Sequence, residues 1–191
     1  MLIYLHGFNS SPGSHKAQVL ARSMQERGLG AHYACPALPH LPELAIAAIE
    51  AETARHAGEP ICFVGSSLGG FYATWFAEKR GARAVLINPA VHPQRDLRAL
   101  LGVQQNLHTG AKYELTESHL EQWASLFVRE ITPSRYLLLV ETGDELLDYR
   151  EAVAKYAGAK QVVVQGGDHT LRSFAEHIPL ILQFAGLAPA P

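Results

Sequence analysis

The sequence predicts an α/β protein with a doubly wound, mostly parallel sheet of about six strands. Short apolar runs alternate with segments of helical period along the 191 residues, which is the pattern of βαβ units. Most of the apolar runs are continuous, as in parallel strands that are buried on both faces. The length indicates one domain that covers residues 1–191.

Each predicted element rests on its own pattern. Apolar runs predict strands at 2–5, 32–35, 61–64, 84–87, 136–140 and 161–164. Apolar residues at i, i+3, i+4 and i+7 predict helices over 14–28, 43–57 and 149–157, and a further helix over 67–80 follows the third strand directly. Near the C-terminus, Pro179 is expected to divide one helical pattern into helices at 171–177 and 179–186.

One segment interrupts the alternation of strands and helices. Residues 88–135 separate the fourth and fifth strands and are too many for a single crossover helix. We interpret residues 91–133 as an inserted helical lid, in which Leu120, Trp123 and Phe127 share a face of a helix over 118–130. Ser118 with Glu121 matches a capping box for that helix. The alternative is two ordinary helices that cover the sheet.

Composition excludes several classes of protein. Charged residues make up 18% of the chain, the net charge is −2, and no run of like charge stands out, so we expect no nucleic-acid partner. The apolar residues 1–5 are too few for a signal-peptide core or a membrane span, so we expect a cytoplasmic protein without a membrane anchor. The two cysteines, Cys35 and Cys62, are too few for a disulfide framework or a structural zinc site and are interpreted as buried thiols.

The segment GSSLGG at residues 65–70 carries the sharpest chemical signal. It matches the G-x-S-x-G pattern with Ser67 at the centre, after a predicted strand and before a predicted helix. Such a turn projects the serine oxygen above the edge of the sheet and directs free N–H groups of the helix at developing negative charge. A phosphate-binding loop would need a lysine after the glycines, and a dinucleotide site would need another glycine spacing. The alternative is a structural Gly/Ser turn that has no catalytic role.

The end of the first strand supplies a second part of a site. In the segment HGF at residues 6–8, the backbone N–H of Phe8 can lie beside that of Leu68. Two converging N–H donors would form an oxyanion hole. We interpret His6 as a structural member of this loop.

The last two predicted strands are followed by a candidate base and candidate acids. Among ten histidines, His169 stands out because it follows the last strand and lies at the carboxyl edge of the sheet, where α/β sites form. Asp144 is the preferred acid to orient it, because Asp148 can cap the helix that begins at Tyr149. Glu141 and Glu145 are weaker candidates for the same role.

Over nearly the whole chain, these segments resemble the α/β-hydrolase superfamily, and within it the small bacterial YqiA-like esterases. The matching stretches are LIYLHGFNSSP, VGSSLGGFYA, INPAV, ETGDELLDY and GGDH. The resemblance implies a nucleophile at Ser67, an acid at Asp144, a base at His169 and oxyanion donors at Phe8 and Leu68. The two strands that usually open the superfamily fold have no counterpart here.

The residues and the resemblance together predict a hydrolase of carboxylic esters that works through an acyl-enzyme without a metal or cofactor. Its partner would be a small-molecule ester with a short or medium acyl group. A thioesterase or another acyl-transfer hydrolase would use the same machinery. The rival from another class is a non-catalytic binding protein on the same fold.

Overall fold

The computed structural model describes residues 1–187, so positions 188–191 of the predicted domain lie outside the described residues. The strands are β1 (Leu2–Leu5), β2 (Tyr33–Ala34), β3 (Cys62–Ser66), β4 (Arg83–Ile87), β5 (Gly102–Gln105), β6 (Lys112–Leu115), β7 (Tyr136–Glu141) and β8 (Lys160–Val164). Six of them form a parallel sheet in the order β2-β1-β3-β4-β7-β8. The predicted doubly wound sheet is therefore confirmed, and β5 and β6 form a separate antiparallel hairpin.

Helices cover both faces of the sheet. They are α1 (His15–Glu26), α2 (Pro42–Arg55), α3 (Leu68–Arg80), α4 (Pro93–Asp96), α5 (Glu117–Ser125), α6 (Tyr149–Lys155) and α7 (Phe174–Ala185). Buried side chains of α1 and α7 form one core with the sheet, and those of α2, α3, α5 and α6 form the other. None of the helices in the described part of the chain has the length and hydropathy needed to cross a bilayer.

Strands in the middle of the sheet are apolar because neighbouring residues face different cores. In β1, Leu2 and Tyr4 pack against α1 and α7, whereas Ile3 and Leu5 pack against the helices of the opposite face. All four side chains are at most 1% exposed. Continuous hydrophobicity therefore reflects a strand with no solvent face.

Two sequence predictions need correction. The second strand is only two residues long, because residue 32 belongs to a 3₁₀ turn and the strand pairs only with β1, at the edge of the sheet. Pro179 does not divide the last helix, since α7 runs through it. Pro179 and Ala175 are both exposed, so water can hydrate the carbonyl that loses its partner. The buried Ile178 and Ile181 hold the helix against the sheet on both sides of the proline.

Residues 91–133 are not wholly helical. They contain α4, a 3₁₀ turn, the β5–β6 hairpin and α5. The predicted helix over 118–130 is α5, which ends at Ser125. Its capping box is made by Thr116 and His119 rather than by Ser118 and Glu121, since the N-cap lies two residues earlier than predicted. Phe127 lies beyond its end and stacks on His92, with ring centroids 5.0 Å apart.

Candidate active site

Ser67 lies at the junction of β3 and α3 in a strained backbone conformation. Its φ is 54° and its ψ is −122°, which non-glycine residues rarely adopt. The turn is tight because glycines flank it. A Cβ at Gly65 would overlap the carbonyl of Gly69, and a Cβ at Gly69 would overlap the carbonyl of Leu5. The G-x-S-x-G pattern therefore corresponds to a strand–turn–helix in which larger residues do not fit.

The loop after β1 lies directly against Ser67. A Cβ built on Gly7 would be 3.2 Å from the Ser67 Cβ, so the backbone that leads into Phe8 borders the serine side chain. Leu68 is the first residue of α3. Within residues 1–187, neither the Phe8 N–H nor the Leu68 N–H has a hydrogen-bond partner. Both groups thus remain available as hydrogen-bond donors.

The structure brings Asp144 and His169 together. The Asp144 carboxylate oxygens lie 2.9 and 3.0 Å from the imidazole Nδ1 of His169. The Asp144 side chain is 1% exposed and also accepts hydrogen bonds from the backbone N–H groups of Leu146 and Leu147, at 2.9 Å each. With Nδ1 occupied by the carboxylate, Nε2 is the nitrogen of His169 that can exchange a proton with a substrate or a nucleophile.

The end of β4 and the loop that follows it form hydrogen bonds to the backbone of both the serine and the histidine. The Ser67 N–H donates to the carbonyl of Ile87 at 3.0 Å, and the Ser67 carbonyl accepts from the N–H of Ala90 at 3.1 Å. Between those two residues, Asn88 donates its side-chain amide to the carbonyl of His169, again at 3.1 Å. The serine and the histidine are therefore held by neighbouring residues of one loop.

Glu141 organises the histidine loop, a role that the sequence did not predict. Its carboxylate is buried, at 2% exposure, and accepts the N–H groups of Asp168, Arg172 and Ser173 at 2.9–3.0 Å, as well as the Ser173 hydroxyl at 2.7 Å. Burial acts to raise the pKa of the Glu141 carboxyl, but the donated hydrogen bonds outweigh it and hold the pKa below its ordinary value. A carboxylate as the last residue of a buried strand was the signal that could have indicated this role.

The other polar candidates have structural roles. Asp148 caps α6 as expected and accepts the N–H of Arg150 at 3.0 Å. The exposed Glu145 accepts the backbone N–H of His169, also at 3.0 Å. His6 is buried and its Nε2 accepts the N–H of Leu38, in agreement with a structural role for this histidine. Burial lowers the pKa of the His6 imidazole, which favours the neutral form that can accept this bond.

A pocket of about 340 Å³ borders the two candidate oxyanion residues. Its walls come from the loops after β1 and β2, from α3 and from the β5–β6 hairpin. The residues used below are Phe8, Leu38, His40, Leu68, Tyr72 and Tyr113. The shared face of the predicted lid helix, formed by Leu120, Trp123 and Phe127, does not line this pocket. Leu120 and Trp123 are at most 1% exposed and belong to the core, and Phe127 borders a much smaller cavity beside α6.

Comparison with known proteins agrees with this fold. The model of the Uncharacterised protein family (UPF0227) matches residues 1–186. A UPF0227 protein of Pectobacterium carotovorum subsp. carotovorum (strain PC1) is 26% identical, over 98% of this chain and 99% of its own. Mouse alpha/beta hydrolase domain-containing protein 10 superposes with a TM-score of 0.73 at 15% identity, covering 97% of this chain and 89% of that chain. The esterase domain of a Rhodothermus marinus protein gives 0.68 at 16% identity, covering 96% and 85%. The architecture is that of a minimal α/β-hydrolase fold.

Proposed function

The chain belongs to the UPF0227 family and has the α/β-hydrolase fold, and from this premise we propose that it is a serine hydrolase that cleaves carboxylic esters. The observation that carries the proposal is the position of a strained Ser67 next to the loop that also holds the Asp144–His169 pair. A serine on a strained turn, two N–H groups that have no partner within residues 1–187 and an imidazole paired with a carboxylate support an acyl-transfer site.

In the proposed reaction, the Ser67 Oγ attacks the acyl carbon while the His169 Nε2 takes the hydroxyl proton. The carbonyl oxygen becomes negative and accepts the N–H groups of Phe8 and Leu68. When the intermediate collapses, the carbon–oxygen bond to the alcohol breaks, and the alcohol leaves with the proton held by His169. Asp144 holds the imidazole in the required tautomer and stabilises its positive form.

The second half of the reaction releases the acid. Water gives a proton to the His169 Nε2 and attacks the acyl-enzyme, and the oxyanion again lies between Phe8 and Leu68. The bond to the Ser67 Oγ then breaks and the proton returns to the serine. No step needs a metal or cofactor.

The substrate is proposed to be a small-molecule ester of the cytoplasm with an acyl group of short to medium length. Residues 91–133 are proposed to act as a lid over the site. Within that lid, the β5–β6 hairpin borders the pocket, whereas α5 packs into the core.

The test is steady-state hydrolysis of ethyl esters and matched thioesters of acetate and butyrate, with acid release followed in a pH-stat. We expect the wild type and Ser66→Ala to turn over the esters, and Ser67→Ala to lose turnover by several orders of magnitude. Folding of each variant is verified by thermal melting. Faster turnover of the thioesters, after correction for their solution reactivity, would favour a thioesterase. A folded wild type without turnover of either series would favour a binding protein.

A further inference from the structure

The pocket beside the candidate oxyanion residues has an aromatic ring in each of its walls, among small, polar and aliphatic residues and the side chain of Lys112. Phe8 follows β1, His40 follows β2, Tyr72 belongs to α3 and Tyr113 belongs to β6. Four separate elements thus each contribute a ring to a pocket of about 340 Å³, and the imidazole of His6 also lines it. No carboxylate side chain lies among the residues that line it within positions 1–187.

These rings already contact one another in the geometries that aromatic pairs prefer. His40 stacks on Tyr113, with centroids 4.1 Å apart and an interplanar angle of 20°. Phe8 meets Tyr113 edge to face, at 6.4 Å and 79°. The edge-to-face pair falls within the range of centroid distances that aromatic pairs prefer, and the stacked pair is slightly closer than that range. A further ring that enters the pocket can therefore extend an existing aromatic cluster.

Tyr113 is held firmly in this position. Its hydroxyl donates to the Oδ1 of Asn9 at 2.7 Å, and the N–H of Leu107 in the hairpin turn donates to the Asn9 carbonyl at 2.9 Å. Asn9 directly follows Phe8, so the hairpin is attached to the loop that carries a candidate oxyanion donor. The wall of the pocket and the oxyanion loop thus form one hydrogen-bonded unit.

The orientation of the proposed reaction decides which part of an ester enters the pocket. The leaving alcohol must lie at the Nε2 of His169 to receive its proton. The pocket is lined by Phe8 and Leu68, the candidate oxyanion donors, but by neither Ser67 nor His169. The acyl group, which is bonded to the same carbon as the leaving oxygen, therefore extends toward the pocket.

We propose that the acyl pocket selects esters whose acyl group carries an aromatic ring, and that Tyr113 is the residue that sets this selectivity. The proposal rests on the proposed ester hydrolysis and specifies its substrate class. The enzyme then prefers an arylacetyl or similar group to a saturated ring of the same skeleton. Aromatic contacts beyond simple burial correspond to a preference of about 3- to 10-fold in kcat/KM.

The test compares ethyl phenylacetate with ethyl cyclohexylacetate, which share a leaving group and a carbon skeleton, and uses ethyl acetate as the reference ester. For the wild type, we expect a phenyl-to-cyclohexyl ratio of about 3 to 10 in kcat/KM. Tyr113→Leu should lower this ratio toward one, because it removes the ring and retains apolar bulk. Tyr113→Phe should keep the ratio, because it retains the ring and loses only the bond to Asn9. Val103→Ala, at a hairpin residue that is 78% exposed and outside the pocket, should match the wild type.

Three results would overturn the proposal while the ester hydrolase stands. One is turnover of ethyl acetate with a wild-type ratio of one or less. Another is an aromatic preference that Tyr113→Leu leaves unchanged. A preference confined to benzyl over cyclohexylmethyl acetate would also contradict it, by placing the ring in the alcohol part. Failure to hydrolyse any of these esters would instead overturn the ester hydrolase and this inference together.

Discussion

The two halves of the candidate site are held in place by different forces. Around Ser67, the constraint is steric, because Gly65 and Gly69 let strand and helix approach more closely than any side chain allows. Around His169, the constraint is polar, because the buried carboxylate of Glu141 and the amide of Asn88 hold the loop by hydrogen bonds. Added volume should therefore damage the first half, and altered hydrogen bonding should damage the second.

The largest effect is expected from added volume at the serine turn. Gly69→Ala places a methyl group closer to the Leu5 carbonyl than van der Waals contact allows, and the atoms that it meets belong to the backbone. We expect a loss of more than about 3 kcal/mol in the free energy of unfolding, since neither the backbone of β1 nor that of α3 can move away. Urea unfolding measures it, with Gly28→Ala as a matched control at a glycine that has open space around it. The control tests only the strain of a positive φ, and equal losses in the two variants would contradict the steric explanation.

The next effect concerns the acid. Asp144→Asn keeps the shape of the side chain but cannot hold the imidazole tautomer, and we expect kcat to fall by roughly 10⁴-fold. Asp148→Asn should leave kcat near the wild-type value, because asparagine caps a helix about as well as aspartate does. Loss of activity in Asp148→Asn at unchanged stability would place the acid four residues further along the chain.

Glu141→Gln tests whether hydrogen bonding positions the histidine loop. The amide presents an N–H₂ group to backbone N–H groups that donate to the carboxylate in the wild type. One or more buried N–H groups therefore lose their acceptor, at a cost of about 1–3 kcal/mol in stability. A displaced His169 should lower kcat by about 10- to 100-fold with a smaller change in KM. Glu145→Gln, at the exposed acceptor of the His169 N–H, is the matched control and should have a smaller effect on both quantities.

The lowered pKa of Glu141 also predicts how the stability of the protein depends on pH. The pKa of the Glu141 carboxyl is below its ordinary value in the folded protein, so its ionised form contributes stability above the unfolded-state pKa of about 4.3. This stability is lost as the pH falls through the folded-state pKa. Thermal melting between pH 3 and 7 should therefore show that the melting temperature falls less at acid pH in Glu141→Gln than in the wild type. Parallel curves would indicate that the charge of Glu141 does not contribute.

The smallest effect is expected at the helix cap. Asp148→Ala removes the acceptor of the Arg150 N–H and should cost about 1 kcal/mol of stability with little change in kcat. Thermal melting and a rate measurement on the same sample separate the two quantities. A large fall in kcat would show that this residue belongs to the polar half of the site.

The difference between the steric half and the polar half of the site also explains which features could be predicted from the sequence. The glycines that the turn at Ser67 needs lie within two residues of the serine, so the pattern is visible in a short window even though Gly69 packs against Leu5. The placement of β1 at residues 2–5 was likewise confirmed. The roles of Glu141 and Asn88 depend on partners 27 to 81 residues away, which no local pattern encodes. The hairpin was missed for a related reason. Its strands are polar and half exposed, and long-range bonds to Asn9 hold it in place.

The central claim is that Ser67 is a nucleophile activated by its surroundings. Its most direct test is labelling of the folded protein with a fluorophosphonate, followed by intact mass and peptide mapping. The account predicts a single adduct on Ser67 in the wild type and in Ser66→Ala, and no adduct in Ser67→Ala. An unlabelled wild type, or an adduct on Ser66, would contradict it.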